Sequence, residues 1–142
     1  MFSDNTYAAV NLDAIAHNFE AICEKVNVPV MVVLKANGYG HGAVEIARLL
    51  EDYADFFGVS SVSEALELQR AGFTTPILIL GHTPVDALPA AVEHGFRTTI
   101  SSLEDAKALS QEACRQGKAA RFHFAVDTGM SRLGFQPTEE SA

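Results

Sequence analysis

Short apolar runs alternate along the chain with longer stretches in which apolar residues recur every three or four positions. The short runs have the composition of β-strands, and the longer stretches have the period of amphipathic helices. Six segments are predicted as strands: Tyr7–Leu12, Pro29–Leu34, Asp55–Ser60, Pro76–Leu80, Arg97–Ile100 and Arg121–Val126. Because Pro29–Leu34 is apolar throughout, we expect it to be covered on both faces, as strands of parallel sheets usually are.

A helix is predicted between each pair of consecutive strands. The predicted helices cover residues 13–26, Ala43–Leu50, Ser61–Ala71, Val85–His94 and a last segment that ends near Gln116. We expect Asp13 to cap the first helix, whose buried face would consist of Ile15, Ala16, Phe19, Ile22, Cys23 and Val26. Ser61 with Glu64, and Ser101 with Glu104, have the spacing of capping boxes, which predicts two helix starts.

Strands that alternate with helices indicate an α/β protein with a parallel sheet and right-handed crossovers. An open doubly wound sheet and a closed (β/α)8 barrel both fit this order. If the first strand stands apart, five strand–helix units follow it, whereas a barrel requires eight units and about 250 residues. Thr138–Glu140 also has the character of a helix start. We therefore expect this chain to be an N-terminal piece of a longer protein.

The composition limits the classes of protein to consider. With 48% hydrophobic and 20% charged residues among 142, the chain has the composition of a folded domain. A net charge of −8 argues against an electrostatic nucleic-acid binder, and the apolar runs are too short to span a bilayer. The N-terminus is polar and acidic, unlike a signal peptide. Two widely separated cysteines, Cys23 and Cys114, suit a reducing cytoplasm.

The first cluster of chemically unusual residues, Leu34–Gly42 (LKANGYGHG), connects a predicted strand to a helix. Loops at this end of parallel strands are where such folds bind ligands. Lys35 follows an apolar strand, so partial desolvation would favour its neutral amine, which forms Schiff bases or takes up protons. The alternate glycines of this loop permit positive φ and close approach of the backbone to a phosphate. The alternative is a lysine that only extends its ammonium group to water.

The same glycines also fit the loose fingerprint of a dinucleotide-binding turn, Gly38-x-Gly40-x-x-Ala43. That function requires an acidic residue at the end of the next strand, where it binds the ribose. Asp55 instead stands at the beginning of that strand. Because Lys35 would also have no role, a nicotinamide-binding module is the weaker hypothesis.

A second cluster, Val126–Phe135 (VDTGMSRLGF), follows the last predicted strand and should emerge at the same edge of the sheet as Lys35. Its Arg132 is permanently charged and offers directed donors to a phenolate or carboxylate oxygen. The alternative is a solvent-exposed turn arginine. Asp127 is a candidate for orienting the loop before Arg132.

Three histidines lie near these loops. We expect His41 to have a structural role in the glycine-rich loop, and His82 to be a polar loop residue at the mouth of the fold. His123 alternates with Phe122 and Phe124, so we expect it to be a hydrogen-bonded residue of the core or barrel interior. No set of His, Asp and Glu residues has the spacing of a metal site, and no metal is expected.

Together, the two clusters resemble the N-terminal part of alanine racemases, the fold-type-III pyridoxal-phosphate enzymes. The resemblance covers nearly the whole chain, in order, through Ala9–Ile15 with Asn18, Val33–Gly42 and Val126–Gly134. It implies that residues 1–142 are the N-terminal part of a pyridoxal-phosphate-binding (β/α)8 barrel of TIM type. The rest of that barrel and a C-terminal β-domain would lie outside this chain. The implied reaction converts L-alanine to D-alanine for cell-wall peptidoglycan.

The resemblance also implies roles for individual residues. Lys35 would be the catalytic lysine that binds pyridoxal 5′-phosphate as a Schiff base and acts as the base on the D-side of the α-carbon. Tyr39 would hydrogen-bond the cofactor phosphate, and Arg132 would contact the pyridoxal phenolate oxygen. Many members carry a lysine, carbamylated in some, where this chain has Ala125, so Arg132 would be held differently here.

The family's second base is a tyrosine of the C-terminal β-domain, contributed by the other subunit of a homodimer. We therefore expect a small amino-acid substrate, a cytoplasmic homodimer, no nucleic-acid or membrane partner, and no racemisation by residues 1–142 alone. Three alternatives remain open: a serine racemase of the same family, a non-catalytic pyridoxal-phosphate-binding barrel that serves cofactor homeostasis, and the nicotinamide-binding module. The Tyr39–Gly42 segment after the lysine argues against the non-catalytic barrel.

Overall fold

The computed structural model describes residues 7–138, in which strands and helices alternate. The strands are β1 (Met31–Val33), β2 (Phe56–Val59), β3 (Ile77–Ile79), β4 (Arg97–Ile100) and β5 (Arg121–Phe124). The helices are α1 (Leu12–Val26), α2 (Lys35–Tyr39), α3 (Ala43–Leu50), α4 (Val62–Arg70), α5 (Leu88–His94) and α6 (Leu103–Gln116). A 3-10 turn, Val85–Ala87, precedes α5. The predicted elements from the first helix to the last strand are thereby confirmed.

The five strands pair in parallel in the order β1-β2-β3-β4-β5, so the predicted parallel α/β sheet is confirmed. Each crossover places the next strand on the same side of the previous one, which is the winding of a barrel. A doubly wound sheet reverses direction at a switch point. Because no reversal occurs among the described strands, the open doubly wound alternative is wrong. The loops that follow the carboxyl ends of β1 to β5 lie along one edge, which we call the rim.

The hydrophobic core lies between the sheet and its helices. Phe57, Val59 and Ile79 are almost fully buried in one cluster with Ala65 and Leu68 of α4. A smaller cluster joins α5, β4 and α6 through Leu88, Val92, Ile100 and Leu109. Burial of each large side chain contributes about 1.5–3 kcal/mol. This layer therefore holds in place the strands whose ends form the rim.

The first predicted strand, Tyr7–Leu12, is wrong. Residues 7–11 have no strand partner within the described range, and α1 begins at Leu12. Asn11 caps α1, because its side-chain oxygen accepts a hydrogen bond of 3.0 Å from the Ala14 N–H. The prediction that Asp13 is the cap is also wrong. Asp13 lies in the first turn, where its charge complements the helix dipole.

The predicted apolar face of α1 is only partly buried. Phe19 is buried, but Ile22 and Val26 are 52% and 45% exposed. These exposed residues lie toward the C-terminal end of the helix, where the described elements do not cover it. The prediction for this face is thus correct at its centre and wrong at its end.

The two outer strands are less covered than the sequence suggests. β1 is only half-buried along its length, contrary to the expectation for Pro29–Leu34, because it has a strand neighbour on one side only among residues 7–138. β5, at the opposite edge, is exposed throughout. His123 is therefore exposed among the described residues and is not part of their core, whereas its place in the interior of a closed barrel stays a prediction. Its ring lies edge-on to Phe56, with the ring centres 6.0 Å apart.

Two helices that start at the rim are capped in the same way. Ser61 caps α4, as predicted, and its hydroxyl accepts from the Glu64 N–H at 3.3 Å. At α6 the cap is one residue later than predicted, because Ser102 accepts from the Asp105 N–H at 3.1 Å. Asp105 thus takes the place that the sequence assigned to Glu104. Adjacent serines followed by adjacent acids fit either register, so the pattern alone did not distinguish them.

Among residues 7–138, no helix is both long enough and apolar enough to cross a membrane. Of the predicted helix start at Thr138–Glu140, the two glutamates lie outside the described residues. That element therefore stays a prediction.

Candidate functional site

The loop that carries Lys35 contains the element α2, which is a turn of left-handed helix. Residues 36–39 have φ angles between 53° and 61°, in the left-handed region. The Gly38 N–H donates to the Leu34 carbonyl at 2.7 Å, which begins the turn. This conformation costs L-residues about 1–2 kcal/mol each. Contacts with the surrounding residues must therefore hold the turn in place.

Gly38 is the position at which this turn most needs glycine. It is buried, its φ is 61°, and a Cβ atom there would lie 3.1 Å from Ile46 Cδ1. Glycine avoids both the strain of positive φ and the crowding against α3. Asn37, the residue before it, belongs to the type that tolerates the left-handed region best after glycine.

Two side chains of the loop itself anchor the turn. The Asn37 side-chain oxygen accepts a hydrogen bond of 2.9 Å from the Ala43 N–H, at the start of α3. The His41 Nδ1 atom lies 3.0 Å from the Gly38 carbonyl oxygen. Because a carbonyl only accepts hydrogen bonds, Nδ1 carries the proton. His41 thus supports the loop backbone, as expected from the sequence.

Glu64 of α4 joins the loops after β1 and β2. Its Oε1 accepts from the Ala36 N–H at 2.8 Å, while Oε2 accepts from the Ser60 N–H at 2.7 Å and from the Ser60 hydroxyl at 2.8 Å. Burial, the largest single influence, raises the pKa of this carboxyl, but the hydrogen bonds together outweigh it and lower the pKa below its ordinary value. Glu64 is therefore an anion at neutral pH.

Lys35 and Tyr39 are neighbours on this turn. The Lys35 Nζ atom is 5.8 Å from the centre of the Tyr39 ring, within the range of a cation–π contact. Lys35 is half-buried, whereas Tyr39 is 60% exposed. The structure thus brings together an amine and a phenol, two of the three predicted site residues, where a small ligand can reach both.

The loop that carries Arg132 is built around Asp127. Asp127 is buried, and its Oδ1 accepts from the Gly129 and Ser131 N–H groups, each at 2.9 Å. The Gln136 amide donates to Oδ2 at 3.0 Å. Hydrogen bonds from Ser131 and Gly129 are the main reason that the pKa of Asp127 is lowered. Asp127 therefore orients the segment directly before Arg132, as the sequence suggested.

A backbone bridge between Val126 and Phe135 closes this loop. The Phe135 N–H donates to the Ala125 carbonyl at 2.8 Å, and the Asp127 N–H donates to the Phe135 carbonyl at 2.9 Å. Gly134 packs against the bridge with φ of 118°, and a Cβ atom there would lie 2.8 Å from the Asp127 nitrogen. The bridge and the glycine together set where the two ends of the loop lie.

Arg132 is not brought to Lys35 and Tyr39 within the described part of the chain. Lys35 follows β1 and Arg132 follows β5, so they lie at opposite ends of the rim. The Arg132 side chain is exposed and has no hydrogen-bond or ion-pair partner among residues 7–138. In a closed barrel, all loops at this end of the strands surround one mouth. The functional roles of the three residues stay predictions.

His82 lies in the loop after β3, in the middle of the rim. Its Nδ1 atom is 3.3 Å from Asp105 Oδ1, and its side chain is 59% exposed. Burial, the largest single influence, raises the pKa of Asp105, but hydrogen bonds with Ser101 and Ser102 and the neighbouring His82 together outweigh it, and the net pKa is lowered. His82 is therefore a polar loop residue with an acidic neighbour, as the sequence suggested.

Three residues that build the site are not apparent from the sequence as site residues. Glu64 is recognisable only as a capping residue, because its partner Ala36 lies 28 positions away. Asn37 has a signal in the Asn-Gly pair, which is typical of left-handed backbone. Gly134 has a weaker signal, since it is one of two glycines that flank Arg132.

The dinucleotide-binding alternative finds no support in this geometry. A dinucleotide fingerprint requires a tight turn that leads directly into a helix at a switch point of the sheet. Here Gly38 lies within the left-handed turn at residues 36–39, Gly40 and Gly42 follow that turn, and the described strands have no switch point.

Comparisons with known proteins agree on one family. Residues 10–142 match the family described as alanine racemase, N-terminal domain. Alanine racemase 1 of Caldanaerobacter subterraneus subsp. tengcongensis is 44% identical over 133 residues, which are 92% of this chain and 34% of the relative.

Solved structures with the same fold include an alanine racemase from Clostridium difficile 630. It has a TM-score of 0.88 and 40% identity, and the match covers 93% of this chain and 35% of that one. A histidine racemase from Leuconostoc mesenteroides subsp. sake has a TM-score of 0.82 and 33% identity, over 88% of this chain and 34% of that one. The chain thus spans about a third of the length of these relatives. Together with the sequential strand order, these similarities confirm the predicted N-terminal portion of a parallel-stranded barrel.

Proposed function

This chain belongs to the alanine racemase family through its N-terminal domain, and from that membership we propose that the complete protein interconverts L-alanine and D-alanine. The activity is proposed for the complete protein because residues 1–142 span only about a third of the relatives. The observation that carries the proposal is the Lys35 amine, half-buried on an anchored left-handed turn beside the Tyr39 phenol.

The proposed cofactor is pyridoxal phosphate, and the chemistry of the donors at the rim fits it. Lys35 offers a primary amine that binds an aldehyde covalently. Tyr39 offers a phenolic O–H to a phosphate oxygen, and Arg132 offers a permanent charge with directed N–H groups to a phenolate oxygen. When bound, the cofactor supplies a conjugated system that withdraws electrons from the amino acid's α-carbon and makes its hydrogen acidic.

Lys35 has two tasks in this proposal. Its Nζ atom would hold the cofactor covalently, and its amine would take or return the α-proton on the D-side of the amino acid. The turn at residues 36–39 would keep this amine close to the α-carbon of a bound amino acid, and such proximity supplies much of the rate of a proton transfer. Through their contacts with the cofactor, Tyr39 and Arg132 would fix the orientation in which the α-proton of the amino acid faces the Lys35 amine.

Family membership also supports the wider parts of the proposal. Residues 1–142 would be the N-terminal part of the barrel, and the rest of the protein would contribute the second proton-transfer group. The protein would act as a cytoplasmic homodimer and supply D-alanine for peptidoglycan. It follows that residues 1–142 alone should not racemise alanine, which an α-proton exchange assay on this fragment would test.

A different amino acid is the second candidate substrate. The observation that favours it is the histidine racemase, which has 33% identity and a TM-score of 0.82 to this chain. Serine is a further candidate of the same class. Parallel assays with L-alanine, L-serine and L-histidine, each at the same concentration, would rank the three substrates by kcat/KM.

The experiment that tests the proposal is enantiomer interconversion by the full-length protein. We expect Lys35→Ala to lower kcat for alanine about a thousandfold or more, because it removes both the covalent anchor and a base. Lys107→Ala removes an exposed charge from α6 and serves as the matched control, with activity unchanged. A full-length protein that binds pyridoxal phosphate but converts none of the three amino acids would instead support the non-catalytic barrel.

A further inference from the structure

Glu64 makes a contact with the Lys35 turn that its position at a helix start does not require. Its Oε2 serves the cap of α4, where it accepts from the Ser60 N–H and hydroxyl at 2.7 and 2.8 Å. Its Oε1 reaches a different loop and accepts from the Ala36 N–H at 2.8 Å. The Ala36 N–H belongs to the peptide group that directly follows Lys35.

The start of α6 provides an internal comparison. There Asp105 Oδ2 accepts from the Ser101 N–H at 3.1 Å and from the Ser101 hydroxyl at 2.8 Å, as Glu64 does with Ser60. An aspartate therefore suffices for this cap. Glu64 is one methylene group longer than Asp105, and its other oxygen contacts Ala36 in the loop after β1, whereas the other oxygen of Asp105 lies near His82 in the loop after β3.

The Ala36 N–H is a point at which the turn needs support. Ala36 has φ of 53° and ψ of 47°, a left-handed conformation that alanine avoids. Residues held in such conformations persist only when the surrounding structure determines them. A hydrogen bond to a carboxylate is stronger than one to a neutral acceptor, and the lowered pKa of Glu64 keeps this acceptor charged at neutral pH.

We propose that Glu64 is a positioning residue: through the Ala36 N–H, it holds the Lys35 peptide in the left-handed turn and so aims the Lys35 amine. The catalytic value of this orientation of Lys35 rests on the proposed racemase activity, whereas the stabilisation of the turn by Glu64 does not depend on it. Glu64 touches neither substrate nor cofactor in this proposal. Its effect passes through the backbone from Ala36 to Lys35.

Three variants of the full-length protein distinguish the effect of Glu64 on the Lys35 turn from its effect on the start of α4. Glu64→Asp keeps a carboxylate for the α4 cap, as Asp105 shows for α6, but shortens the reach to Ala36. Glu64→Gln offers only one acceptor oxygen for the two loops and provides a second test if Glu64→Asp folds poorly. Asp105→Asn is the matched control, because it weakens an equivalent cap without touching the Lys35 turn.

Hydrogen exchange of the cofactor-free protein measures the hold directly. In peptides that cover residues 34–42, we expect Glu64→Asp and Glu64→Gln to speed amide exchange about tenfold, as loss of a hydrogen bond to a charged group predicts. Asp105→Asn should leave these peptides unchanged. Unchanged exchange in both Glu64 variants would overturn the proposal, and so would equal acceleration in the Asp105→Asn control.

The aim of Lys35 is measured by its reaction with pyridoxal phosphate. We expect the Glu64 variants to lose about tenfold in the rate of borohydride-trapped labelling at Lys35, and to lower kcat for alanine while KM changes little. Asp105→Asn should show neither effect. Normal labelling and kcat in variants with accelerated exchange would overturn the positioning role. If the unmodified protein also takes no label, the proposed function fails, and the exchange experiment still decides whether Glu64 holds the turn.

Discussion

Gly134 offers the sharpest test of how the Arg132 loop is built. Its φ is 118°, and a Cβ atom at this position would lie 2.8 Å from the Asp127 nitrogen, 3.0 Å from the Val126 carbonyl carbon and 3.1 Å from the Ala125 oxygen. All three are backbone atoms of the bridge that closes the loop, so no side-chain rotation relieves the clash. We therefore expect Gly134→Ala to disrupt the bridge.

The size of the effect follows from two costs. Placing alanine at this φ costs about 1–3 kcal/mol in backbone strain, and forcing a methyl group into packed backbone costs about 1–3 kcal/mol more. Gly129→Ala isolates the first cost, because Gly129 has φ of 125° and no atom within 4 Å of its ideal Cβ position. The free energy of unfolding should thus fall further for Gly134→Ala than for Gly129→Ala, by at least about 1 kcal/mol.

Urea unfolding of the full-length protein, followed by circular dichroism, measures both variants under the same conditions. The dissociation constant for pyridoxal phosphate provides a second readout, since the disrupted bridge would displace Arg132. We expect Gly134→Ala to bind the cofactor more weakly than Gly129→Ala. Equal losses of stability in the two variants would refute the steric argument and the packing of Gly134 against the bridge.

Three further predictions concern stability. Asn37→Ala should lower the free energy of unfolding by about 1–2 kcal/mol through loss of the bond to the Ala43 N–H, and Asn37→Gly should lose less because glycine adopts the positive φ of residue 37 without strain; unchanged stability in urea titrations of both variants would contradict the role of this hydrogen bond, and the reverse order would contradict the left-handed backbone. Thr99→Val removes a buried hydroxyl that donates to a β3 carbonyl at 2.7 Å and should cost about 1 kcal/mol; no change would show that this bond adds nothing. Because the pKa values of Glu64 and Asp105 are lowered on folding, their stabilising contribution is complete above their ordinary values and is lost as pH falls through the folded values. The urea midpoint should therefore fall as the pH drops below the ordinary values of 4.5 for Glu64 and 3.8 for Asp105, and Glu64→Gln should reduce that fall; an unchanged fall would exclude Glu64 as a contributor.

The order of strands and helices was predictable because each crossover has its own apolar period and its own capping signals. Ser61 and Glu64, for example, mark the start of α4 by spacing alone. Where two registers share the same signals, as at Ser102 and Asp105, the sequence could not choose between them. The prediction of a first strand was wrong for a different reason: Asn11 caps a helix, and local hydrogen bonding decided the conformation of this residue.

The position of the site was predictable, but its construction was not. Lys35 at the end of an apolar strand, followed by a glycine-rich segment, identifies the loop. The left-handed turn depends on Glu64, which is distant in sequence, and no local pattern reports such a contact. The exposure of His123 was not predictable either, because it is set by the strands that neighbour β5 and not by the alternation of residues within β5.

The most direct test of the Lys35 assignment is to locate the covalent bond. The full-length protein would be incubated with pyridoxal phosphate, reduced with borohydride, digested and mapped by mass spectrometry. We predict a single adduct on Lys35, with the exposed lysines of α1 and α6, Lys25 and Lys107, unmodified. An adduct on any other lysine, or no adduct at all, would contradict the proposed role of the Lys35 amine.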